Sequence, residues 1–311
     1  SRGLALGSVT MGQIDDQTSE SIGQTISQKT VVITGGNAGI GKESAIAIAS
    51  MGARVIFTSR DAQRGADALS EVKERSGSTN VELLSLDLAS LASIRSFATT
   101  VMSATDRIDV LLNNAGLLQT QRSMTVDGFE TTFGVNHLGH FLLTDLLGGI
   151  LAKTAQEFGG SRVVVVASNA HKFARNGVNF DDLERRKNYS GMGVYGESKL
   201  ANILFANELA KRLSGSGVTA NSLHPGYVAS RFGRDGDTGR LDWAVALGAQ
   251  LFAISPKKGA ATSVFVATDQ STATASGGYY EKSRLKKPTS QALDIDAQKR
   301  LWEVSAELVN R

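Results

Sequence analysis

The stretch Val31-Val32-Ile33-Thr34-Gly35-Gly36-Asn37-Ala38-Gly39-Ile40-Gly41 decides the fold of this 311-residue chain. Three β-branched residues lead directly into a glycine-rich turn, and Lys42-Glu43-Ser44-Ala45 then begin a helical pattern. This order predicts a buried strand, a tight turn and a helix. Glycines at such a turn let the backbone approach a pyrophosphate, whose charge is stabilised by the N–H groups and the positive dipole end of the helix. A turn packed for purely steric reasons is the alternative, and the position between a strand and a helix disfavours it.

Outside this stretch, short β-branched runs alternate with longer segments of helical periodicity, the pattern of repeated βαβ units. Because the runs are apolar on both faces, we expect a doubly wound α/β fold, whose parallel sheet has helices on both sides. Strands are predicted at 31–33, 54–58, 81–86, 108–112, 162–167 and 218–223, with a seventh at 278–280. Helices are predicted at 41–51, 61–74, 91–105, 127–152, 195–214, 257–268 and 294–309. No polar linker divides the chain, so residues 30–311 are expected to form one Rossmann-type domain after an N-terminal extension, residues 1–29.

Composition excludes several classes of protein. The chain has no cysteine, which removes disulfides, thiolate metal sites and cysteine nucleophiles together. A net charge of +3 without a run of basic residues gives no reason to expect a nucleic-acid partner, and Lys286-Lys287 are interpreted as a solvated turn. The most membrane-like window, 243–256, is too short to span a bilayer and is expected to be a buried or interfacial helix. With no secretory signal pattern at residues 1–29, a cytoplasmic location is expected.

Further motifs follow the other predicted strands in a regular order. Asp87-Leu88 follows the third strand, Asn113-Asn114-Ala115-Gly116 the fourth, Ser168 the fifth and Pro225-Gly226 the sixth, while Asn136, Tyr195 and Lys199 fall in predicted helices. Together with the G-x3-G-x-G spacing of the glycine turn, this series resembles the short-chain dehydrogenase/reductase family over about residues 30 to 280. The resemblance implies a nicotinamide dinucleotide cofactor held by Gly35, Asn37, Gly39, Ile40, Gly41, Ser59, Arg60, Asp87, Leu88, Asn114, Ala115, Gly116, Tyr195, Lys199, Pro225, Gly226, Val228 and Ser230.

Charge at the end of the second strand favours NADP(H) over NAD(H). An acidic side chain there would bond the ribose 2′-OH, but Ser59 and Arg60 occupy the position. A serine hydroxyl can donate a hydrogen bond, and a guanidinium suits a 2′-phosphate, with Asn37 as a further donor. Asp61 stands one residue on, and we interpret it as the N-cap of the next helix.

The proposed chemistry depends on four side chains. Hydride transfer to a carbonyl leaves an alkoxide, which needs a proton donor and a group that holds the oxygen. Tyr195 and Lys199 lie four residues apart, and therefore on one helix face. The resemblance implies that Tyr195 is the acid/base, that Lys199 lowers its pKa and bonds the nicotinamide ribose, that Ser168 positions the carbonyl, and that Asn136 holds a water in a proton relay.

Other catalytic classes fit the sequence less well. His137 and His140 are only three apart without a nearby carboxylate, so no metal site is predicted, and packing roles are expected for the histidines. Ser168 lacks the flanking glycines of a hydrolase nucleophile turn. An epimerase or dehydratase could use the same tyrosine and lysine, although those relatives usually show G-x2-G-x2-G and a larger substrate domain. A non-catalytic dinucleotide sensor is a third reading, disfavoured because Tyr195 and Ser168 are both present.

Three segments indicate a subgroup. These segments resemble the retinol dehydrogenase and protochlorophyllide reductase branch of the family. They are the 26 residues between Ser168 and Tyr195, the run Ser198-Lys199-Leu200-Ala201-Asn202 and the run Leu301-Trp302-Glu303-Val304-Ser305. The chain lacks the active-site cysteine of the light-dependent reductases, and residues 1–29 do not show the apolar anchor of membrane retinol dehydrogenases, so neither substrate is assigned. Residues 117–126, 169–194 and 227–252 are expected to line a pocket for a lipophilic carbonyl or alcohol. A homodimer or homotetramer is expected by analogy, with Leu204-Phe205 as one contact, and a monomer is left open.

Overall fold

The computed structural model of the chain describes residues 26–226 and 255–310. Within these residues eight strands form one sheet in the order β3-β2-β1-β4-β5-β6-β7-β8. The strands are β1 Thr30–Ile33, β2 Arg54–Ser59, β3 Val81–Ser85, β4 Val110–Asn113, β5 Ser161–Val166, β6 Val218–His224, β7 Tyr279–Glu281 and β8 Arg284–Lys286. The first seven run parallel, and β8 pairs antiparallel with β7. The predicted doubly wound sheet is confirmed.

Helices cover both faces of the sheet. They are α1 Gly39–Ser50, α2 Ala62–Ser76, α3 Leu91–Ala104, α4 Gly139–Leu146, α5 Gly148–Phe158, α6 Gly191–Arg212, α7 Pro256–Thr268 and α8 Ile295–Val309. The alternating side chains of β1 separate the two cores: Val31 and Ile33 pack with α1, α2 and α7, while Val32 packs with α3, α4, α6 and α8. Burial on both faces is the reason that each strand reads as a continuous apolar run.

Two predicted helices have different bounds. The segment predicted as one helix over 127–152 consists of a helical turn Thr131–Phe133, a π-helical turn Gly134–Leu138, then α4 and α5, which are separated at Leu147. Its apolar periodicity runs across these breaks and conceals them. Helix α6 begins at Gly191, four residues before the predicted start, with Ser190 as its N-cap. Gly191 and Gly193 are weak helix formers, so composition did not indicate this first turn.

The eighth strand was not predicted. Arg284, Leu285 and Lys286 are all exposed, and the prediction of a solvated turn at Lys286 is wrong because Lys286 pairs with Tyr279. Edge strands often carry charged side chains that discourage pairing with other chains, so they lack the apolar run by which strands are recognised.

Two further predictions concern the ends of the described ranges. Ile26, assigned to the N-terminal extension, is buried against the core that contains α1. The predicted helix at 243–256 lies almost entirely outside the described residues. Across residues 26–226 and 255–310, none of the helices combines the length and the apolar composition that crossing a bilayer requires.

Candidate functional site

The carboxyl ends of three neighbouring strands bring the predicted motifs together. Strand β4 lies between β1 and β5, and all three run in the same direction. The chain that leaves them forms the glycine turn after β1, the segment Asn114-Ala115-Gly116 after β4, and Ala167-Ser168 after β5. Ligands of open α/β sheets bind beyond such strand ends. The fold therefore places these three motifs at one edge of the sheet.

The glycine turn has the backbone that an anion site needs. Gly35 has φ +66°, in the left-handed region that favours glycine. A Cβ on Gly41 would lie 2.3 Å from the Gly35 carbonyl oxygen and 2.5 Å from Asn114 Nδ2, so only glycine fits there. Helix α1 has no side-chain cap at Ala38 and no acidic residue in its first turn. Its first N–H groups and dipole are thus oriented to bind a pyrophosphate, and the predicted cofactor fits this turn.

Thr34, which the sequence analysis did not single out, organises this turn. Its Oγ1 accepts hydrogen bonds from the backbone N–H groups of Asn114 (2.9 Å) and Ala115 (3.0 Å). Asn114 Nδ2 in turn donates to the Thr34 carbonyl oxygen at 2.8 Å. Asn114 therefore ties the loop after β4 to the loop after β1. The position of Thr34 directly before Gly35 is the one sequence signal that could have identified it.

The end of β2 differs in part from the prediction. The Ser59 side chain is buried, and its Oγ donates to the Asp61 carbonyl oxygen at 2.7 Å, so this hydroxyl shapes the turn. The Asp61 side chain accepts from Arg64 N at 2.8 Å as the N-cap of α2, which confirms its predicted role. The Arg60 side chain is exposed and forms no ion pair with any described residue. Of Ser59 and Arg60, Arg60 has the freer side chain.

Four of the remaining predicted cofactor residues follow β3 and β6. Asp87 Oδ1 accepts from Ala89 N at 2.9 Å, which shapes the loop after β3. The Leu88 side chain packs in the core, so only its backbone can face a ligand. Pro225 is buried at the end of β6, and Gly226 has φ +95°. Val228 and Ser230 lie outside the described residues.

Three of the predicted catalytic side chains meet beside this edge. Tyr195 shares a hydrogen bond with the Ser168 side chain. Lys199, one turn further along α6, places Nζ 5.6 Å from the centroid of the Tyr195 ring and donates to the Val166 carbonyl oxygen at 3.1 Å. A Cβ on Gly116 would lie 3.2 Å from Lys199 Nζ, so the loop after β4 borders the same group. The Nδ1 of His171 forms a hydrogen bond with the Ser168 carbonyl oxygen at 2.7 Å and so helps to hold the backbone at Ser168.

The Tyr195 pKa is shifted in the direction opposite to the expectation. Burial raises the Tyr195 pKa to about 12, and the hydrogen bond with Ser168 lowers it only in part. Burial also lowers the Lys199 pKa to about 8. Desolvation of the phenolate sets the direction of this shift. The expectation that Lys199 lowers the Tyr195 pKa stays a prediction. At neutral pH the phenol is protonated.

Asn136 lies in the π-helical turn Gly134–Leu138, and its side chain is completely buried. Its Oδ1 accepts from Leu117 N at 2.8 Å, and its Nδ2 donates to the Leu117 carbonyl oxygen and to Ser198 Oγ at 2.9 and 3.0 Å. Its Oδ1 also borders Gly116, at 3.2 Å from a Cβ placed there. Asn136 thus joins the loop after β4 to α6, a structural role that the sequence did not indicate. Single π-turns frequently occur at functional sites.

Two loops expected to line the substrate side are linked by Tyr189. Its hydroxyl lies within hydrogen-bond distance of two acceptors, the Gln119 carbonyl oxygen at 3.0 Å and Glu130 Oε1 at 3.2 Å, which share its one proton. The ring of Phe173 is 62 % exposed, as an apolar wall of an open pocket would be. The third expected pocket segment, residues 227–252, lies outside the described residues.

Two other sequence-based predictions can be compared with the described residues. Leu204 and Phe205 are buried inside the chain, where Phe205 stacks with Trp302 of α8, so the prediction that they form a subunit contact is wrong. The four histidine side chains are all buried. Among residues 26–226 and 255–310, the acidic and histidine side chains form no cluster suited to a metal ion.

Comparison with known proteins adds four findings. The short chain dehydrogenase family pattern matches residues 29–239. Retinol dehydrogenase 13 of Homo sapiens is 40 % identical over 289 residues, which cover 92 % of this chain and 86 % of the human protein. A solved structure of an uncharacterized protein from Mycobacterium Paratuberculosis, 34 % identical, superposes with a TM-score of 0.71 over 91 % of this chain and 94 % of that one. The Pseudomonas aeruginosa RhlG/NADP active-site complex, 26 % identical, has a TM-score of 0.62 over 81 % and 93 % of the two chains.

Proposed function

Because this chain belongs to the short-chain dehydrogenase family, we propose that it is an NADP(H)-dependent oxidoreductase that interconverts a carbonyl and an alcohol on a lipophilic small molecule. The observation that carries this proposal is the meeting of Ser168, Tyr195 and Lys199 beside a glycine turn suited to a pyrophosphate. The similarity to retinol dehydrogenases supports an alcohol or aldehyde as the reacting group.

The dinucleotide, when bound, supplies or accepts the hydride. The N-terminus of α1 and the glycine turn would hold its pyrophosphate, with the loop after β4 beside the turn. Ser168 then positions the carbonyl oxygen by a hydrogen bond, and Tyr195 donates the proton that the developing alkoxide needs. The hydrogen bond between Ser168 and Tyr195 supports this division of roles, since it places the two hydroxyls next to each other.

The raised pKa of Tyr195 suits reduction of a carbonyl. With a pKa of about 12, the phenol holds its proton throughout the neutral range, and an alkoxide is basic enough to take it. The Lys199 ammonium group, charged below its pKa of about 8, lies near enough to stabilise the phenolate that remains. Asn136 keeps the loop at Gly116 in place behind Lys199, and a water relay through Asn136 remains a prediction.

Preference for NADP(H) rests on Arg60. Its exposed guanidinium lies at the end of β2, where the adenosine ribose of a bound dinucleotide is expected. The carboxylate of Asp61 caps α2 and pairs with Arg64, with 3.4 Å between Arg64 Nε and Asp61 Oδ2, so its charge is partly balanced. The RhlG structure named for its NADP complex supports the same preference. The subunit count and a cytoplasmic location stay predictions.

The cofactor assignment is tested with Arg60→Ala. Loss of one exposed charge-assisted contact to the 2′-phosphate is expected to weaken NADPH binding about tenfold and to leave NADH binding unchanged. Arg284→Ala removes the same charge from the opposite edge of the sheet and is the control. Titration of each variant with both nucleotides measures the effect, and equal losses for NADPH and NADH would remove the role given to Arg60.

The chemical assignment is tested with Tyr195→Phe. Oxidation of NADPH, followed at 340 nm with a panel of lipophilic aldehydes and ketones, is expected to fall at least about a hundredfold, because the proton donor is lost. NADPH affinity is expected to stay within about twofold of the wild type, since only one hydroxyl is removed. Full turnover in this variant would refute the assignment of Tyr195 as the acid.

A further inference from the structure

His137 and His140 stand one helical turn apart, and both are completely buried. They point to different parts of the molecule. His137 Nε2 forms a hydrogen bond with Ser305 Oγ of α8 at 2.8 Å, and its ring lies among Phe133, Phe141 and Phe205. His140 Nε2 instead contacts Thr34 Oγ1 at the start of the glycine turn, at 2.9 Å. The proposed reaction uses neither histidine.

The protons on the His140 contacts can be assigned. Burial keeps the His140 pKa low, at about 4, against the opposing effect of the hydrogen bond to the Asn136 backbone, and repulsion from the nearby Lys199 ammonium group lowers it further. The ring is therefore neutral and carries one N–H. Its Nδ1 lies 3.1 Å from the Asn136 carbonyl oxygen, which can only accept, so Nδ1 bears the proton. Nε2 must then accept, and the Thr34 hydroxyl donates to it.

This donation orients the Thr34 oxygen. With its only proton directed to His140, Oγ1 presents its lone pairs to the N–H groups of Asn114 and Ala115. The other acceptor within reach of the Thr34 hydroxyl, the Leu112 carbonyl oxygen, is 3.5 Å away, too far for a comparable bond. A continuous chain of hydrogen bonds thus runs from the loop after β4 through Thr34 and His140 to the backbone of Asn136.

We propose that His140 is a positioning residue for the dinucleotide: by accepting from Thr34 and donating to the Asn136 backbone, it fixes the glycine turn against the loop after β4. This inference rests on the proposed function, since it concerns the binding of the same cofactor. Because the turn holds the pyrophosphate that NADPH and NADH share, loss of His140 affects both nucleotides equally. In this respect His140 differs from Arg60, which acts on the 2′-phosphate.

The test compares His140→Phe with His137→Phe. Both replace a buried histidine by an apolar ring, and both are expected to lower the melting temperature. Only His140→Phe is expected to weaken binding of NADPH and NADH, each by about tenfold, the loss typical of one buried hydrogen bond. His140→Leu is measured as well, because a leucine side chain is smaller and does not overfill the site as phenylalanine could. It is expected to show the same loss of affinity for both nucleotides. Unchanged affinities in the folded His140 variants, or equal losses in His137→Phe, would overturn the inference.

A double-mutant cycle separates positioning from general damage. Thr34→Val removes the hydroxyl through which His140 acts, so Thr34→Val combined with His140→Phe is expected to weaken binding no more than the larger single change. Thr34→Ser, which keeps the hydroxyl, is expected to bind NADPH within about threefold of the wild type. If the loss of affinity in the double variant equals the product of the two single losses, the inference is refuted. If the wild-type protein binds neither NADPH nor NADH, the proposed function itself is refuted. This outcome is distinct from any result of the variants, which are compared with the wild type.

Discussion

Replacement of Gly116 by alanine tests the packing on which the site depends. The added methyl group would lie 3.2 Å from Asn136 Oδ1 and 3.2 Å from Lys199 Nζ, so one of these groups must move by a few tenths of an ångström. Asn136 cannot move without straining its three hydrogen bonds to Leu117 and Ser198. Lys199 has the longer side chain, and its Nζ can retreat only by stretching the 3.1 Å hydrogen bond to the Val166 carbonyl oxygen.

The expected magnitude follows from this crowding. Overfilling a packed site costs about 1–3 kcal/mol, and a displacement of 1 Å at a reacting group costs about a hundredfold in rate. A shift of a few tenths of an ångström at Lys199 is then expected to lower turnover about tenfold. The melting temperature is expected to fall by about 2–4 °C for each kcal/mol lost.

Gly149→Ala is the matched control for this change. Gly149 lies at the exposed start of α5, and nothing lies within 4 Å of a Cβ placed there. Alanine is expected to stabilise this helix by up to about 1 kcal/mol without any effect on turnover. Thermal unfolding and NADPH oxidation, measured on both variants, give the comparison. Wild-type turnover in Gly116→Ala would show that the contacts of Gly116 with Asn136 and Lys199 are irrelevant to the chemistry.

Three further predictions follow from particular residues. Carbonyl reduction is expected to be steady from about pH 6 and to fall as the pH rises through about 8, because Lys199 loses its proton there while Tyr195 keeps its own. If Lys199→Met shows the same fall in its residual rate, another group is responsible. The turn between β7 and β8 holds Lys282 and Ser283 at φ +52° and +55°, so Lys282→Asn combined with Ser283→Gly is expected to raise the stability by about 1–2 kcal/mol. An unchanged melting temperature would contradict this. The buried Asp109 carboxylate accepts hydrogen bonds from the Arg107 guanidinium and the Thr30 N–H, so Asp109→Ala is expected to cost about 3–5 kcal/mol in unfolding free energy. Asp109 lies at the amino ends of the strands, away from the site. The NADPH affinity of this variant, measured below the melting temperature, should match the wild type.

Much of the fold is determined by local sequence. A parallel sheet buried on both faces needs continuous apolar strands, and a turn that approaches a pyrophosphate needs glycine, so both leave signals within a few residues. The positions of Ser168 and Asn114 follow as well, because parallel strands must end at a common edge of the sheet. The exposed edge strand β8 left no such signal, because its residues meet water instead of a core.

The tertiary structure decided which polar groups meet across the chain, and with what charge. Thr34 and His140 are 106 positions apart in sequence, and their hydrogen bond exists only because the fold brings the start of α4 beside the end of β1. The sequence placed Tyr195 and Lys199 on one helix face, but the sign of the Tyr195 pKa shift depended on how much water the neighbouring elements exclude. Spacing along a chain fixes which side chains share a face, whereas desolvation is a property of everything packed around them.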